Sequence, residues 1–502
     1  MLENKVNSEV PKSPHFLVVG TGPLGEKAQQ LQDKTSALEA LGFHVPHRTV
    51  LTADFFDDFF KKNSFGANLN DSAVRGVTEE EIRMGTFTPE QMDVLMDVCG
   101  RYGASPLVVR SSDNARGTGA YKSTFTNNNK RSIPESIREV LGSYFSLDAV
   151  MLRRDMTGDS EFGVMIEPLI GQRNSNFIAP ILSGMGYTST SSGKGYVTMV
   201  PGLSCGVDTR GGLRVDKNKL DEYGSTLGAY IYELSQGPLS NTALLMPHHE
   251  DYVRGSYRGK VFLPSNLHSR GRIDDNFIHY PAKIQSVLEN LNLSSLFLKM
   301  EQMEQRFGKP QYLEWAMTIE KGQPVFWVVQ IADVNKNKKV DKIEFGDLGT
   351  IMFTGHTVTG TGVVEAKKIF YCKNLNDLYK LEDFNGKNRE GYVLFYADYL
   401  VSGGNDLPYR YFSNASVLIE MHRGKHTSGS SLEHIMGQIA LTDKLFAILH
   451  NDKALKPLPA WKVPLDEDSH EVGQVYEGRV TITASEQKQI LIISTKDVDI
   501  AA

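Results

Sequence analysis

Apolar and polar positions along this chain alternate between two periods, and each change of period marks an element. Residues 16–20, FLVVG, form a continuous apolar run that empties into the glycine-bearing GTGPLGEK, which predicts a buried strand and a turn. From Lys27 to Leu41 the positions Leu31, Ala37, Leu38 and Leu41 fall roughly on one stripe, the period of a helix. A strand-like HRTVL follows, then a helix from Ala53 to Lys62 with Phe55, Phe56, Phe59 and Phe60 as its apolar face. Glu79 to Gly100 is helical with a break at Thr88-Pro89. PLVVR (106–110) predicts a strand that empties into the polar SSDNARGTGAYKSTFTNNN. Ser132, two residues before Pro134, predicts a serine-capped helix start.

Beyond these, FGVMIEPLI and GYVTMV predict strands, and KNKLDEYGSTLGAYIYELSQ predicts a helix. KIQSVLENLNLSSLFLKMEQMEQRFG predicts a helix or helix pair ending at Gly308. QYLEWAMTIE and VFWVVQIADV, joined by KGQP, predict a hairpin. A Lys-rich stretch, VNKNKKVDK, marks a linker, after which GTGVVEAKKIFY opens a β-rich domain that ends near residue 495. No internal repeat and no low-complexity tract interrupts the pattern.

At 502 residues the chain exceeds one core, so two to four domains of roughly 100–200 residues are expected. Hydrophobic content of 40% and charged content of 23% fit a soluble globular protein. A net charge of −6 and a pI near 6.1, with scattered basic residues, argue against a nucleic-acid or membrane-surface binder. Cys99, Cys205 and Cys372 are far apart without a CxxC pair, so they predict buried thiols and neither a disulfide framework nor a zinc site. The N-terminus is polar and no apolar run approaches the roughly 20 residues of a membrane span. A cytoplasmic location is therefore expected.

Three stretches carry chemistry. The loop RSSDNARGTGAYKST offers Arg110, Ser111, Ser112, Arg116, Gly117, Gly119 and Lys122, a set that suits a polyphosphate through close backbone approach and charge-assisted bonds. Taken alone, such a loop is more often a solvated surface turn than a nucleotide lid. On the hairpin, Glu314 and Gln330 are each the polar member of a mainly apolar run on paired strands. An acid and an amide facing one pocket can hold Mg²⁺ through oxygen, and the rival reading is an exposed strand face. HRGKHTSGSSLEH (422–434) follows an apolar strand run and could carry phosphate, bind a metal or open a helix. A metal on His422, His426 and His434 is disfavoured, because spacings of four and eight lack acids other than Glu420 and Glu433.

LGEKAQQLQDKTSALEALGFHVPHRTVLTADFFDDF resembles the opening of the nucleotide-binding domain of the pyruvate phosphate dikinase and phosphoenolpyruvate synthase family. PLVVRSSD resembles that family's VRSS strand and loop, and FGVMIEPLI its Val- and Met-rich strand. MEQRFGKPQYLEWAMTIEKGQPVFWVVQ is similar to the family ending FG-x-P-x-DIEW … LQ-x-R. The agreement covers roughly residues 20–335. It implies an ATP-grasp fold with ATP between two subdomains and Mg²⁺ on the phosphates. Lys27 and Arg110 would contact those phosphates, Glu314 and Gln330 would hold the metal, and the loop from Ser111 to Ser123 would close over the γ-phosphate. Glu167 and the backbone of Pro168, Leu169 and Ile170 would lie along the adenine. Two departures stand out: the family's GGK turn is GEK here, and the arginine two positions after the metal-binding Gln is Ala332. Arg116 or Lys122 is a candidate to replace that arginine.

The family continues with a swivelling phosphohistidine domain. GTGVVEAKKIF, EGYVLFYAD and ASVLIEMHRGKHTSGSSLEHIMGQIA resemble its runs, with Thr427 and Ser428 on the family's Thr-Ser and Gly429 at the position of the carrier histidine. Glycine offers no nucleophile. Three readings follow: a domain that binds or covers an acceptor, a displaced carrier or general base at His426 or His434, or a non-catalytic chain working with a separate histidine-bearing subunit. The family's pyruvate-binding barrel has no counterpart in this sequence, so phosphoenolpyruvate synthesis by this chain alone is not expected. Shorter relatives phosphorylate antibiotics or phenols, the nearest analogy.

The resemblance thus implies an α+β protein. Residues 1–105 and 106–335 would be two ATP-grasp subdomains, 336–353 a linker, and 354–502 a smaller β-rich swivelling domain without its carrier histidine. The function expected is ATP- and Mg²⁺-dependent phosphotransfer to a small-molecule acceptor other than pyruvate. An ATP-grasp ligase working through an acyl phosphate and a non-catalytic ATP-binding sensor are the alternatives. A homo-oligomer stays open.

Overall fold

A computed structural model describes residues 15–113, 120–156, 161–174, 177–189 and 293–334 almost continuously, with shorter stretches between 195 and 245 and between 350 and 494. The chain divides into two compact units, residues 1–116, 121–146 and 160–336 in the first and 117–120, 147–159 and 337–502 in the second. Helices and sheets are mixed throughout, an α+β architecture.

In the first unit β1 (Phe16–Val19), β2 (Arg48–Thr52), β3 (Leu107–Asp113), β4 (Ser123–Thr126) and β5 (Phe162–Pro168) form a sheet in the order β1-β2-β5-β3-β4. FLVV is half-buried along its whole length, because β1 lies at the sheet edge and not, as its apolar run predicts, in the interior. The helices are α1 (Glu26–Ala40), α2 (Asp57–Lys62), α3 (Leu69–Val74), α4 (Glu79–Met84), α5 (Pro89–Gly100), α6 (Ser132–Ser143) and, counted with the second unit, α7 (Leu147–Asp155). The single helix expected over Ala53–Lys62 is a 3₁₀ turn, Ala53–Phe56, running into α2. Capping boxes start α4 (Thr78 with Glu81) and α5 (Thr88 with Gln91), which explains the break at Thr88-Pro89. The serine cap of α6 is corrected: Asn129 Oδ1 accepts from the amides of Arg131 (3.0 Å) and Ser132 (2.9 Å), and Ser132 is the first helical residue.

The second sheet of this unit needs the rest of the strands named. They are β6 (Gln172–Asn174), β7 (Phe177–Ala179), β8 (Leu182–Tyr187), β9 (Tyr196–Pro201), β10 (Leu213–Asp216), β11 (Lys219–Glu222), β12 (Leu227–Ala229), β13 (Tyr232–Glu233), β14 (Gly237–Pro238) and β15 (Ala243–Leu245). After them come helix α8 (Leu293–Phe307) and the hairpin β16 (Gln311–Glu320) and β17 (Gln323–Asp333). The order β11-β10-β9-β8-β16-β17 is antiparallel at every step, and small sheets β14-β13-β7-β6 and β12-β15 accompany it. Residues 217–236, expected to be helical, instead supply β11, β12 and β13. Gly224 and Gly228 each cost a helix about 1 kcal/mol, and ladder partners on β10, β15 and β7 override the remaining periodicity.

The two faces of the five-stranded sheet pack differently. Leu51, Val164, Ile166, Leu107 and Val109 join Phe56, Phe59, Phe60, Leu95 and Ile137 in one core. Val50 and Met165, paired in register on the other face, join Leu31 and Leu38 of α1, Met300 and Met303 of α8, and Trp315, Val328 and Ile331 of the hairpin. Alternation therefore aims Arg48, Arg110 and Glu167 toward the hairpin. Lys34, buried on α1, donates to Gln311 (2.8 Å) and Asp333 (2.5 Å), which fastens the helix to the base of the same hairpin.

In the second unit β18 (Thr350–Thr354), β19 (Thr357–Thr359), β20 (Gly362–Cys372), β21 (Tyr392–Ala397), β22 (Ala415–His422), β23 (Leu445–His450), β24 (Gln474–Ser485) and β25 (Ile490–Ser494) make an eight-stranded sheet. Its order is β18-β25-β24-β20-β21-β22-β23-β19, and β20 to β23 run parallel. Asp148 of α7 accepts from the Arg410 amide (2.9 Å) and guanidinium (2.7 Å), and Asp155 from the Tyr409 hydroxyl (2.8 Å). Lys444 donates to the carbonyls of Ser413 (2.6 Å) and Ala415 (2.8 Å), and its burial pulls the ammonium pKa down to about 8.

Phe59 is fully buried against the rings of Phe60, Phe65 and Phe87. Phe59→Ala is expected to cost about 3–5 kcal/mol, read as a lowered urea midpoint by circular dichroism.

Candidate functional site

The hairpin sets the geometry. Glu314 and Gln330 are directly opposite in the β16/β17 ladder, as the paired-strand expectation has it. One step further the register shifts, so that Trp315 faces Val328 and Val329 becomes the extra residue of a β-bulge. The carbonyls at the bulge are taken by arginines. Arg48 Nη2 reaches the carbonyls of Val329 (3.0 Å) and Val328 (3.4 Å), and Arg110 Nη1 reaches that of Val329 (3.5 Å).

A line of alternating charges runs from there. Arg48 Nε donates to Glu167 Oε2 (2.6 Å), and Arg110 Nη1 to Glu167 Oε1 (3.4 Å). Arg110 Nη2 donates to both Glu314 Oε2 (2.6 Å) and Gln330 Oε1 (2.9 Å). Two guanidinium groups thus face two carboxylates, and the cluster is formally neutral. It is graded in burial: the Arg48 and Glu167 side chains are 0% and 3% exposed, those of Arg110 and Glu314 13% and 15%. Burial holds the Arg48 pKa below its usual value despite Glu167. Burial also opposes the charge on Arg110, but Glu314 and Glu167 together raise its pKa above the usual arginine range. The Arg110–Glu314 end is the less buried of the two.

The start of α1 is docked beside the end of β3. Lys27 Nζ donates to Asp113 Oδ2 (3.0 Å) and Ser111 Oγ (3.3 Å), while the Ala28 amide donates to Ser112 Oγ (2.9 Å). Gly25 permits the approach: its φ is +75°, and an added Cβ would stand 2.0 Å from the Ser112 carbonyl oxygen. Asp54 braces the preceding GTG turn, accepting from the Thr21 amide (2.8 Å), the Thr21 hydroxyl (2.7 Å) and the Gly22 amide (2.9 Å). Burial works against that carboxylate, yet bonds from Thr52, Thr21 and Gly22 keep its pKa below the ordinary range.

These placements revise several expectations. Ser111 and Ser112 are not loop residues: β3 continues through Asp113, and both serines are buried opposite Val164 and Gly163. Glu167 is sealed between two arginines, so its carboxylate serves the cluster. The Leu169 amide is committed to the Pro106 carbonyl (2.8 Å), and its side chain is buried with Ile178. Lys122 pairs with Glu79 on α4 (2.6 Å) and not with the Arg110 cluster. Arg116, Gly117, Gly119, His426, Gly429 and His434 lie outside the described residues, and His422 closes β22 in register with His450. Arg48, Asp54, Asp113 and Tyr312 complete the site and carry no motif. The available signals were an arginine heading an apolar strand, an acid ending PLVVRSSD, and a tyrosine at the acid of the FG-x-P-x-DIEW pattern.

Among the described residues no three His, Cys, Asp or Glu side chains gather into a metal-holding group. Glu314 and Gln330 nevertheless fit a hard cation: both are oxygen donors, and both already converge on one nitrogen of Arg110 at 2.6 and 2.9 Å. Two protein oxygens suit Mg²⁺, which commonly keeps waters and substrate phosphates as its remaining ligands.

The profile of the family described as pyruvate phosphate dikinase, AMP/ATP-binding domain, matches residues 22–345, and the chain belongs to that family. Every site residue from Lys27 to Gln330 falls inside the match. A comparison with curated proteins finds no match. No helix among the described residues is long and apolar enough to cross a membrane.

Glu167→Gln would leave Arg48 buried with its charge uncompensated. The expected loss is about 3–5 kcal/mol of stability, measured by urea unfolding.

Proposed function

We propose that this protein is an ATP- and Mg²⁺-dependent phosphotransferase of the ATP-grasp type, acting on a small-molecule acceptor other than pyruvate. The observation that carries the reading is the convergence of Glu314 and Gln330 on Arg110, within a family defined by its AMP/ATP-binding domain. In this reading Glu314 and Gln330 hold the cation, and Arg110, relieved of them, turns its Nη2 to a phosphate oxygen. Lys27, at the start of α1, exchanges Asp113 for a second phosphate contact, and Ser111 and Ser112 keep the strand end in place. Bound Mg²⁺ would supply neutralisation of the phosphate charge. The chain's own residues bind, orient and neutralise, which is most of what phosphoryl transfer asks of a protein.

Direct attack by an acceptor hydroxyl or carboxylate is the simplest route, since Gly429 occupies the position aligned with the carrier histidine and has no nucleophile. A carboxylate acceptor would give an acyl phosphate and open a ligase reaction. The domain scheme accompanying this reading is two ATP-grasp subdomains before residue 335 and a swivelling domain after 354, in a cytoplasmic protein. A second reading, a nucleotide binder without turnover or a partner of a histidine-bearing subunit, is favoured by Ala332 and Gly429.

Incubation with Mg-ATP and hydroxyl- or carboxylate-bearing acceptors, followed by chromatography of the nucleotides, is expected to give ADP. AMP with inorganic phosphate would overturn direct transfer, and no product with any acceptor would leave the binder. Arg110→Met is expected to lower turnover by roughly 10²–10³-fold.

A further inference from the structure

Glu314 has a second partner that the phosphotransfer reading does not use. Tyr312 precedes it by two residues on β16 and so projects on the same face, and the Tyr312 hydroxyl donates to Glu314 Oε1 at 3.2 Å. Glu314 Oε2 is the oxygen held by Arg110, at 2.6 Å. The carboxylate is therefore gripped at both oxygens by groups of different character, one a guanidinium cation and the other a neutral phenol. The surroundings of the phenol are matched to it. Across the hairpin Tyr312 faces Ala332, whose methyl leaves the ring room; on the other side it faces Tyr187, with ring centroids 5.1 Å apart and an interplanar angle of 57°.

We infer that Tyr312 is a positioning residue for the cation site, fixing Glu314 through Oε1 so that Oε2 is the oxygen presented to the metal when Arg110 withdraws. The inference rests on the proposed role of Glu314. A carboxylate has a broad terminal torsion, and one neutral donor narrows it without competing for the cation's charge. Arg110 cannot do this, because the oxygen it holds is the one to be vacated.

The test uses the full chain, Mn²⁺ as the probe ion and a non-hydrolysable ATP analogue. Free Mn²⁺ is followed by electron paramagnetic resonance, and analogue binding by calorimetry with and without the metal. Tyr312→Phe is expected to weaken Mn²⁺ about tenfold in the presence of the analogue, the scale of losing an outer-shell partner. Analogue binding without metal stays at the wild-type value, which reports that the variant is folded and that the phosphate-binding groups are intact. Equal Mn²⁺ affinity in wild type and variant overturns the role of Tyr312 alone. An equal loss of analogue binding with and without metal also overturns it, since a general structural defect would do the same. Wild-type protein that binds no analogue, with or without Mn²⁺, overturns the reading of the site and this inference with it.

Discussion

The interaction on which the rest depends is the sealed pair of Arg48 and Glu167. Taking two such charges out of water costs several kcal/mol each, and most of the pair's remaining hydrogen-bonding capacity is met, Arg48 Nη1 being its one guanidinium nitrogen left without a partner among the described residues. Glu167 meets it with a second guanidinium, Arg110, and Arg48 with the bulge carbonyls of Val328 and Val329. The bulge is thereby more than a kink in β17. Its carbonyls at Val328 and Val329 accept from Arg48, and so join the hairpin electrostatically to the five-stranded sheet. Arg110 inherits its position from this arrangement, and through Arg110 so do Glu314 and Gln330.

Burial grades the cluster, and the gradient separates scaffold from chemistry. At the sealed end, where water is excluded, exchange of partners would expose an uncompensated charge. At the less buried end, where the side chains keep 13% and 15% exposure, the same exchange costs less. A single row of four charged side chains can in this way be rigid at Arg48 and replaceable at Glu314. Helix α1 is held by a comparable division of labour. Lys34 is buried and committed to Gln311 and Asp333, whereas Lys27, near the helix start, has a small set of polar partners at the end of a strand.

Much of this was legible in the order of residues, and the parts that were not share a cause. The hairpin follows from two apolar runs around a short turn, whereas the direct opposition of Glu314 and Gln330 needs the bulge at Val329, which no local pattern announces. The break before α5 follows from its capping box. Local pattern was blind wherever a distant partner decided the outcome. Ser111 to Asp113 look like loop because they are polar, yet they are strand because Val164, Gly163 and Phe162 pair with them and Lys27 and Ala28 satisfy their side chains. Residues 217–236 have helical spacing, but within them 219–222, 227–229 and 232–233 find ladder partners. Glu167 entered through the family resemblance alone, and its ion pairs with Arg48 and Arg110 carry no local signal because both partners are distant in sequence.

The departure at Ala332 reads differently once the register is known. In the pattern FG-x-P-x-DIEW … LQ-x-R the acid falls at Tyr312 and the arginine at Ala332, and these two positions are direct partners across β16 and β17. Replacing the arginine alone would have stranded an acid beside Glu314, raising the repulsion at the open end of the cluster. Replacing both removes one positive and one negative charge, so the formal charge of that face is unchanged. A large residue also stands opposite a small one, which conserves volume between the strands. The paired change therefore leaves the balance of Arg48, Arg110, Glu167 and Glu314 intact. What it alters is the character of the support beside Glu314: an acid in the pattern becomes a hydroxyl in this chain, and the positive charge at the site is carried by Arg48, Arg110 and Lys27.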